Sequence, residues 1–290
     1  MIILGAHGLI GSHVCAALPT AVKAPRSDQC DLRDASEARY AISGHDVVIN
    51  CAGTTAGSGG AGEGGRNLVA DNVHINMSVF DACAQAGVKK LICLSSTTGY
   101  PQRSLLSEDQ YFEGDVHPAY SAVGESKRFI ERLAAMYPEV ETVFLRCSGT
   151  YGPGADFNAQ TSHVIEATVA KVARGDNPLT IWGDGEDERD AVHIDDLVRA
   201  IVLAIDAPAG AYNIASGESM SINEIVAHLC KGAGYRPRIE HDLSKPAMIR
   251  TRNLDISKAR NVLRWSPAIT MRDGLAATYR WYVREALKCA

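Results

Sequence analysis

Gly5-Ala6-His7-Gly8-Leu9-Ile10-Gly11 follows directly on the apolar run Ile2-Ile3-Leu4, and Val14, Ala17 and Leu18 continue it at helical spacing. The pattern predicts a strand over 2–4, a glycine turn, and a helix near 11–18. Gly5 makes the tight turn, Gly8 lets the backbone approach a pyrophosphate with no Cβ in the way, and Gly11 lets the helix pack close to the strand. The N-terminus of that helix offers unpaired N–H groups and a positive dipole end to phosphates. Three glycines alone also fit a plain strand-to-helix turn. Here the strand before and the helix after supply the context that a dinucleotide cradle requires.

The alternation continues outward from this turn. Strands are expected over 46–52, 88–96 and 140–147, and helices over 67–86, stopping at Gly87, and 119–137, stopping at Pro138. Such βαβ alternation predicts an α/β fold, a Rossmann-type doubly wound parallel sheet covered on both faces, with a smaller C-terminal α/β substrate domain. The dinucleotide-binding domain is expected over 1–155 with returning segments near 189–213, and the substrate domain mainly over 156–290. Gly5, Gly53, Ser95, Ser96 and Ser148 all fall at the carboxyl ends of strands, where ligands of such sheets bind. The glycine-dense stretch 52–65 reads either as a mobile loop over the cofactor or as a disordered surface excursion.

The 290 residues carry 46% hydrophobic and 22% charged side chains and a net charge of −5, as an ordinary globular protein does. With no Lys or Arg block, nothing favours nucleic acid or an anionic membrane as partner. No apolar run approaches the ~20 residues of a membrane span. The chain enters its first strand with no basic leader, and its 8 cysteines are scattered with no C-x-x-C. A cytoplasmic protein with free thiols is expected. His193-x-Asp195-Asp196 lacks a second ligand cluster, so no metal is expected, and without a Gly-x-Ser-x-Gly elbow there is no hydrolase nucleophile.

These motifs resemble the extended short-chain dehydrogenase/reductase family, in its nucleotide-sugar epimerase/dehydratase/reductase branch. The likeness runs over essentially the whole chain. It is carried by the glycine turn, Asp31-Leu32, the strand ending in Ser95-Ser96, Leu145-Arg146 with Tyr151-Gly152-Pro153-Gly154, Gly183-Asp184-Gly185 with Arg189-Asp190-Ala191-Val192-His193, Tyr212-Asn213, and Asp255-Ile256-Ser257-Lys258 with Leu263-Arg264-Trp265. The resemblance implies hydride transfer between a nicotinamide and a sugar carbon. A Tyr phenolate takes or gives the hydroxyl proton, and a Lys four residues later favours the phenolate and holds the nicotinamide ribose. A Ser at a strand end bonds the same oxygen.

Ser96 fits the Ser role and Lys127 the Lys role, but the residue four before Lys127 is Val123. Tyr120 stands seven before it. Either the segment holds its Tyr with three extra residues between, or the Tyr is lost to Val. Tyr120 is then the acid/base, or another group or water takes that role, or the chain does no redox turnover. Residues i and i+7 of a helix share a face, and their tips meet if the helix starts late or carries a bulge. After Ser96 come Thr97 and Thr98 rather than the Asp-Glu of the dehydratases, so 4,6-dehydration is disfavoured. The family's Asn before its Tyr-Gly-Pro segment appears as Gly149.

The resemblance assigns the cofactor to Gly5, His7, Gly8, Leu9, Ile10, Gly11, Asp31, Leu32, Cys51, Ala52, Gly53 and Lys127, and the substrate to Thr97, Arg189 and Arg252. An acidic residue after the second strand would favour NAD. Arg26-Ser27 stands there instead, so the cofactor is NAD(P), leaning to NADP through an Arg26 contact to a 2′-phosphate; a solvated loop arginine is the plain alternative. The expected function is that of an NAD(P)-dependent nucleotide-sugar epimerase or ketoreductase at a hexose C4. The alternative is a catalytically silent dinucleotide-binding protein, a sensor or partner subunit. The helices at 67–86 and 119–137 resemble the pair through which family members dimerise, so a homodimer is expected.

Overall fold

Neighbouring residues of the central strands enter opposite apolar cores, and this alternation fixes the layers. The computed structural model describes residues 1–54, 65–159, 161–245 and 250–286. The first half runs β1 (Ile2–Leu4), α1 (Leu9–Ala17), β2 (Val22–Lys23), α2 (Ala35–Ile42), β3 (Val47–Asn50), α3 (Gly65–Ala86), β4 (Lys90–Ser96), β5 (Leu105–Leu106), α4 (Ser121–Leu133), β6 (Glu141–Cys147) and β7 (Gly149–Tyr151). The second runs α5 (Val164–Arg174), β8 (Leu179–Trp182), β9 (Glu188–His193), α6 (Ile194–Ala204), β10 (Gly210–Ile214), β11 (Ser219–Ser221), α7 (Ile222–Gly232), β12 (Ile239–Asp242), β13 (Asn253–Leu254) and α8 (Met271–Trp281).

Six strands form one parallel sheet in the order β10-β6-β4-β3-β1-β2. Ile3, Ile49, Ile92 and Val143 are paired in one row across it and share a core with Val14 of α1 and Leu197 and Ile201 of α6. Ile2, Leu4, Val48, Leu91 and Phe144 enter the other core, with Ile42 of α2, Phe80 of α3 and Ile130 and Leu133 of α4. Each such side chain, fully buried, contributes about 1.5–3 kcal/mol. Parallel strands need crossovers, so helices cover both faces as expected. A third core joins α5, α7 and α8 to β8 and β9.

Smaller sheets pair β7 and β11 with β9, β12 with β8, and β13 with β5. The β13–β5 ladder matters for the site. It brings the segment around Arg252 back to the loop that leaves β4, held by Asn253 N–H to Ser104 O and Asp255 N–H to Leu106 O.

Most expected boundaries shift by one or two residues, and the largest departure is at α4. The helix read over 119–137 is three pieces: a 3-10 turn at Pro118–Tyr120, α4, and a 3-10 turn at Ala134–Met136. Tyr120 has φ −123° and ψ 13°, outside helical values, and its N–H bonds to His117 O, so α4 starts only at Ser121. Gly87 does end α3, at φ +69°. Of the glycine-dense stretch, 55–64 lies outside the described residues, and so does the reading of it as a loop over the cofactor.

Candidate active site

The glycine turn has the geometry its sequence requires. Gly5 sits at φ +67°, and a Cβ there would stand 2.6 Å from Ala52 N. At Gly11 a Cβ would stand 2.1 Å from Gly5 O, so no other residue lets α1 pack on the turn. At Gly8 it would meet only Gly5 O, at an ordinary contact distance of 3.5 Å. Gly8 caps α1 with no side-chain hydrogen bond, leaving first-turn N–H groups unpaired at the carboxyl end of the sheet. These features fit a dinucleotide pyrophosphate. Cys51, Ala52 and Gly53 form the facing wall after β3.

That wall is braced by residues the sequence reading missed. Asn50 Nδ2 donates to Asn76 Oδ1, Ala52 N–H to Asn50 Oδ1, and Thr54 N–H to Asn72 Oδ1. Asn72 and Asn76 are buried in α3. Asparagines one turn apart in an apolar helix were the available signal.

The adenine-side residues divide. Leu32 is packed into the second core. The Asp31 carboxylate takes hydrogen bonds from Arg33 Nε at 2.9 Å and Nη2 at 2.7 Å, while Arg33 Nη1 reaches Asp71. Those bonds from Arg33 hold Asp31 below the usual carboxylate range. Arg26 is exposed in the loop after β2.

Ser96, half-buried at the end of β4, caps the 3-10 turn Thr97–Gly99, its Oγ accepting from Thr98 N–H and Thr98 Oγ1. Beneath it lies a buried network. Tyr111 Oη donates to Ser96 O at 2.9 Å, and Ser95 Oγ donates to Glu131. Arg146 binds Glu131 through Nε and Nη2, at 3.0 and 2.7 Å, both side chains 3% exposed. The Arg146 guanidinium also lies 3.6 Å from the Tyr111 ring centroid. Gly124 lets α4 press on this turn, since a Cβ there would stand 2.5 Å from Thr98 O. Tyr100 is fully buried and donates to Asn213 Oδ1, a structural role.

Lys127 is half-buried on α4 among Cys93, Cys147 and Glu131, and burial pushes its ammonium below the ordinary value. Val123 lies one turn before it. Tyr120 stands at the mouth of α4 with Arg252 over its ring, 5.6 Å from the centroid. Arg252 Nη1 donates to Thr97 O at 3.1 Å, which ties the guanidinium beside Tyr120 to the residue that follows Ser96. Arg189, on β9, lies near enough to Arg252 for its charge to act on it. Arg189 donates to Asp187 and to Glu188 O, and lines a cavity of about 550 Å³ together with Ser162, Lys171, Trp182 and Arg250. Ser96, Tyr120 and Lys127 do not line that cavity.

Residues 1–215 match the profile of the NAD-dependent epimerase/dehydratase family. The chain belongs to that family. Epimerase/dehydratase relatives include dTDP-4-dehydro-6-deoxy-D-allose reductase of a Streptomyces species, 28% identical over 97% of this chain and 95% of the relative. GDP-L-fucose synthase of Azorhizobium caulinodans is 25% identical over 98% of this chain and 96% of its own. Among solved structures, MoeE5 in complex with UDP-glucose and NAD superposes with a TM-score of 0.82 at 26% identity, covering 98% of this chain and 99% of that one. The expected family and the Rossmann-type sheet are therefore both found, and the chain is that of an NAD(P)-dependent enzyme family.

Proposed function

We propose that this protein is an NAD(P)-dependent nucleotide-sugar epimerase or ketoreductase acting at a hexose C4. The observation that carries the reading is the convergence of the glycine turn, Ser96 and the Tyr120–Arg252 pair around the carboxyl end of one parallel sheet, in a chain whose relatives act on nucleotide-linked sugars. When bound, the dinucleotide donates or accepts the hydride. Gly5, Gly8 and Gly11 with the N-terminus of α1 hold its pyrophosphate, Cys51 to Gly53 wall it, and Lys127 faces its ribose. Ser96 bonds the reacting sugar oxygen and Tyr120 exchanges that oxygen's proton. The cavity beside α5 takes the nucleotide, with Arg189 on its phosphates.

Absorbance at 340 nm, followed with NADPH and NADH against a panel of GDP-, UDP- and dTDP-4-keto-sugars, tests this. Turnover of at least one member is expected. Cofactor binding with no turnover and no C4 isotope exchange across the panel refutes it.

The lean to NADP rests on Arg26, whose exposed guanidinium forms no ion pair with any described residue. A charged hydrogen bond contributes about 1.5–3 kcal/mol, so Arg26→Ala is expected to weaken NADP binding about 10- to 100-fold. NAD binding stays as it was. Calorimetric titration of both cofactors decides, and equal changes in the two remove the 2′-phosphate role.

We further place the protein in the cytoplasm as a homodimer. Its seven described cysteines are all free, in keeping with a reducing compartment. Met77 on α3 and Phe129 on α4 are 40% and 45% exposed, apolar surface on the two helices that would pack across a two-fold axis. Sedimentation at micromolar protein is expected to give twice the chain mass; a monomer at all concentrations contradicts it.

A further inference from the structure

Tyr120 lies in the 3-10 turn ahead of α4 and Lys127 within the helix, seven residues on rather than the four of the family pattern. Lys127 lies within reach of the charges of Cys93, Cys147 and Glu131, while the cation standing over Tyr120 is Arg252. The placement is built rather than incidental. The β13–β5 ladder carries the Arg252 backbone, and Nη1 is fastened to Thr97 O, the residue after Ser96. Nη2 is buried with no hydrogen-bond partner among the described residues. A buried guanidinium nitrogen without an acceptor is costly, and an anion formed beside it relieves that cost.

We propose that Arg252 is the cation that activates Tyr120, its guanidinium stabilising the phenolate in place of the lysine ammonium four residues along the helix. The proposal rests on Tyr120 being the acid/base of the reaction above. The proton step is a transfer from the sugar hydroxyl to Tyr120 Oη: the sugar O–H bond breaks and the Oη–H bond forms. The same carbon gives its hydride to the bound dinucleotide, leaving a carbonyl, and reduction reverses both transfers. Arg252 acts through Tyr120 and needs no contact with the reacting atoms.

Among the described residues, Arg252 is the cation that lies over the Tyr120 ring. His117, with its ring 6.1 Å from that of Tyr120, is pushed down by burial and by Arg252, which favours its neutral form. Burial and Arg189 of β9 also push Arg252 down, and Tyr120 pulls it the other way. Tyr111 acts on Arg252 in the same sense as Tyr120, and Lys127 is the cation that α4 carries, its charge felt by Cys93 and Cys147.

Titration of tyrosine 13Cζ resonances in the holoenzyme tests the pairing without turnover, the Tyr120 signal being the one lost in Tyr120→Phe. In Arg252→Gln its midpoint is expected to rise by one pH unit or more. Arg252→Lys should restore most of that shift, and Lys127→Met should move it less. The acid limb of kcat/KM for sugar oxidation should move with it. An unmoved midpoint in Arg252→Gln, with only a raised KM, shows that Arg252 merely holds substrate and overturns the proposal. So does a larger shift in Lys127→Met than in Arg252→Gln. The reading of Tyr120 itself fails separately: wild-type turnover in Tyr120→Phe removes it whatever the Arg252 variants do.

Discussion

Replacing Tyr120 with phenylalanine is expected to lower kcat by at least ~10²-fold, the low end of general acid–base contributions. Dinucleotide affinity should be unchanged, because the cradle is built from the glycine turn, α1 and the wall after β3, and the ring partners of Tyr120, His117 and Arg252, belong to none of these. The change removes one oxygen and leaves the ring under Arg252, so the fold is not at stake. Steady-state rates and cofactor titration on the same preparation separate the two quantities. A companion variant sharpens the result. Adding Val123→Tyr to Tyr120→Phe puts a phenol one helical turn before Lys127, at the family's usual spacing. Continued low activity places the proton chemistry on Tyr120. Recovery of the rate would show that the lysine-paired position still governs it.

The sheet was legible because its signals are local. Glycines at 5, 8 and 11 follow a strand, and apolar runs end in hydroxyls or glycine; the structure needs only these to set β1, β3, β4 and β6. The late start of α4 was less so. Its cause is the backbone of Tyr120, which closes a 3-10 turn after Pro118, and sequence spacing expressed it only as a tyrosine three residues early. The partner of Tyr120 could not be read at all. Arg252 is 132 positions away along the chain and arrives through a two-residue ladder too short to show periodicity. The same holds for the brace beneath Ser96. Arg146 stood in a family segment, but its pairing with Glu131 depends on how α4 sits against β6 and could not be read from either residue.

That brace carries the largest expected effect on stability. Arg146→Met leaves the Glu131 carboxylate buried at 3% exposure without its bidentate partner. Breaking such a pair from one side costs about 3–5 kcal/mol, a large share of a domain's net stability of about 5–15 kcal/mol. Chemical denaturation should show this as a lower midpoint with an unchanged slope, and a loss under 1 kcal/mol contradicts it. The double variant Arg146→Met, Glu131→Leu removes both charges and is expected to recover most of the stability, since apolar pairs often replace buried ion pairs at little cost. Its rate should not recover. Ser95 Oγ then loses its acceptor on Glu131, and the Tyr111 ring loses the guanidinium 3.6 Å from its centroid, so the Tyr111 hydroxyl no longer fixes the Ser96 carbonyl. A stable double variant with wild-type kcat would show that the 3-10 turn alone places Ser96.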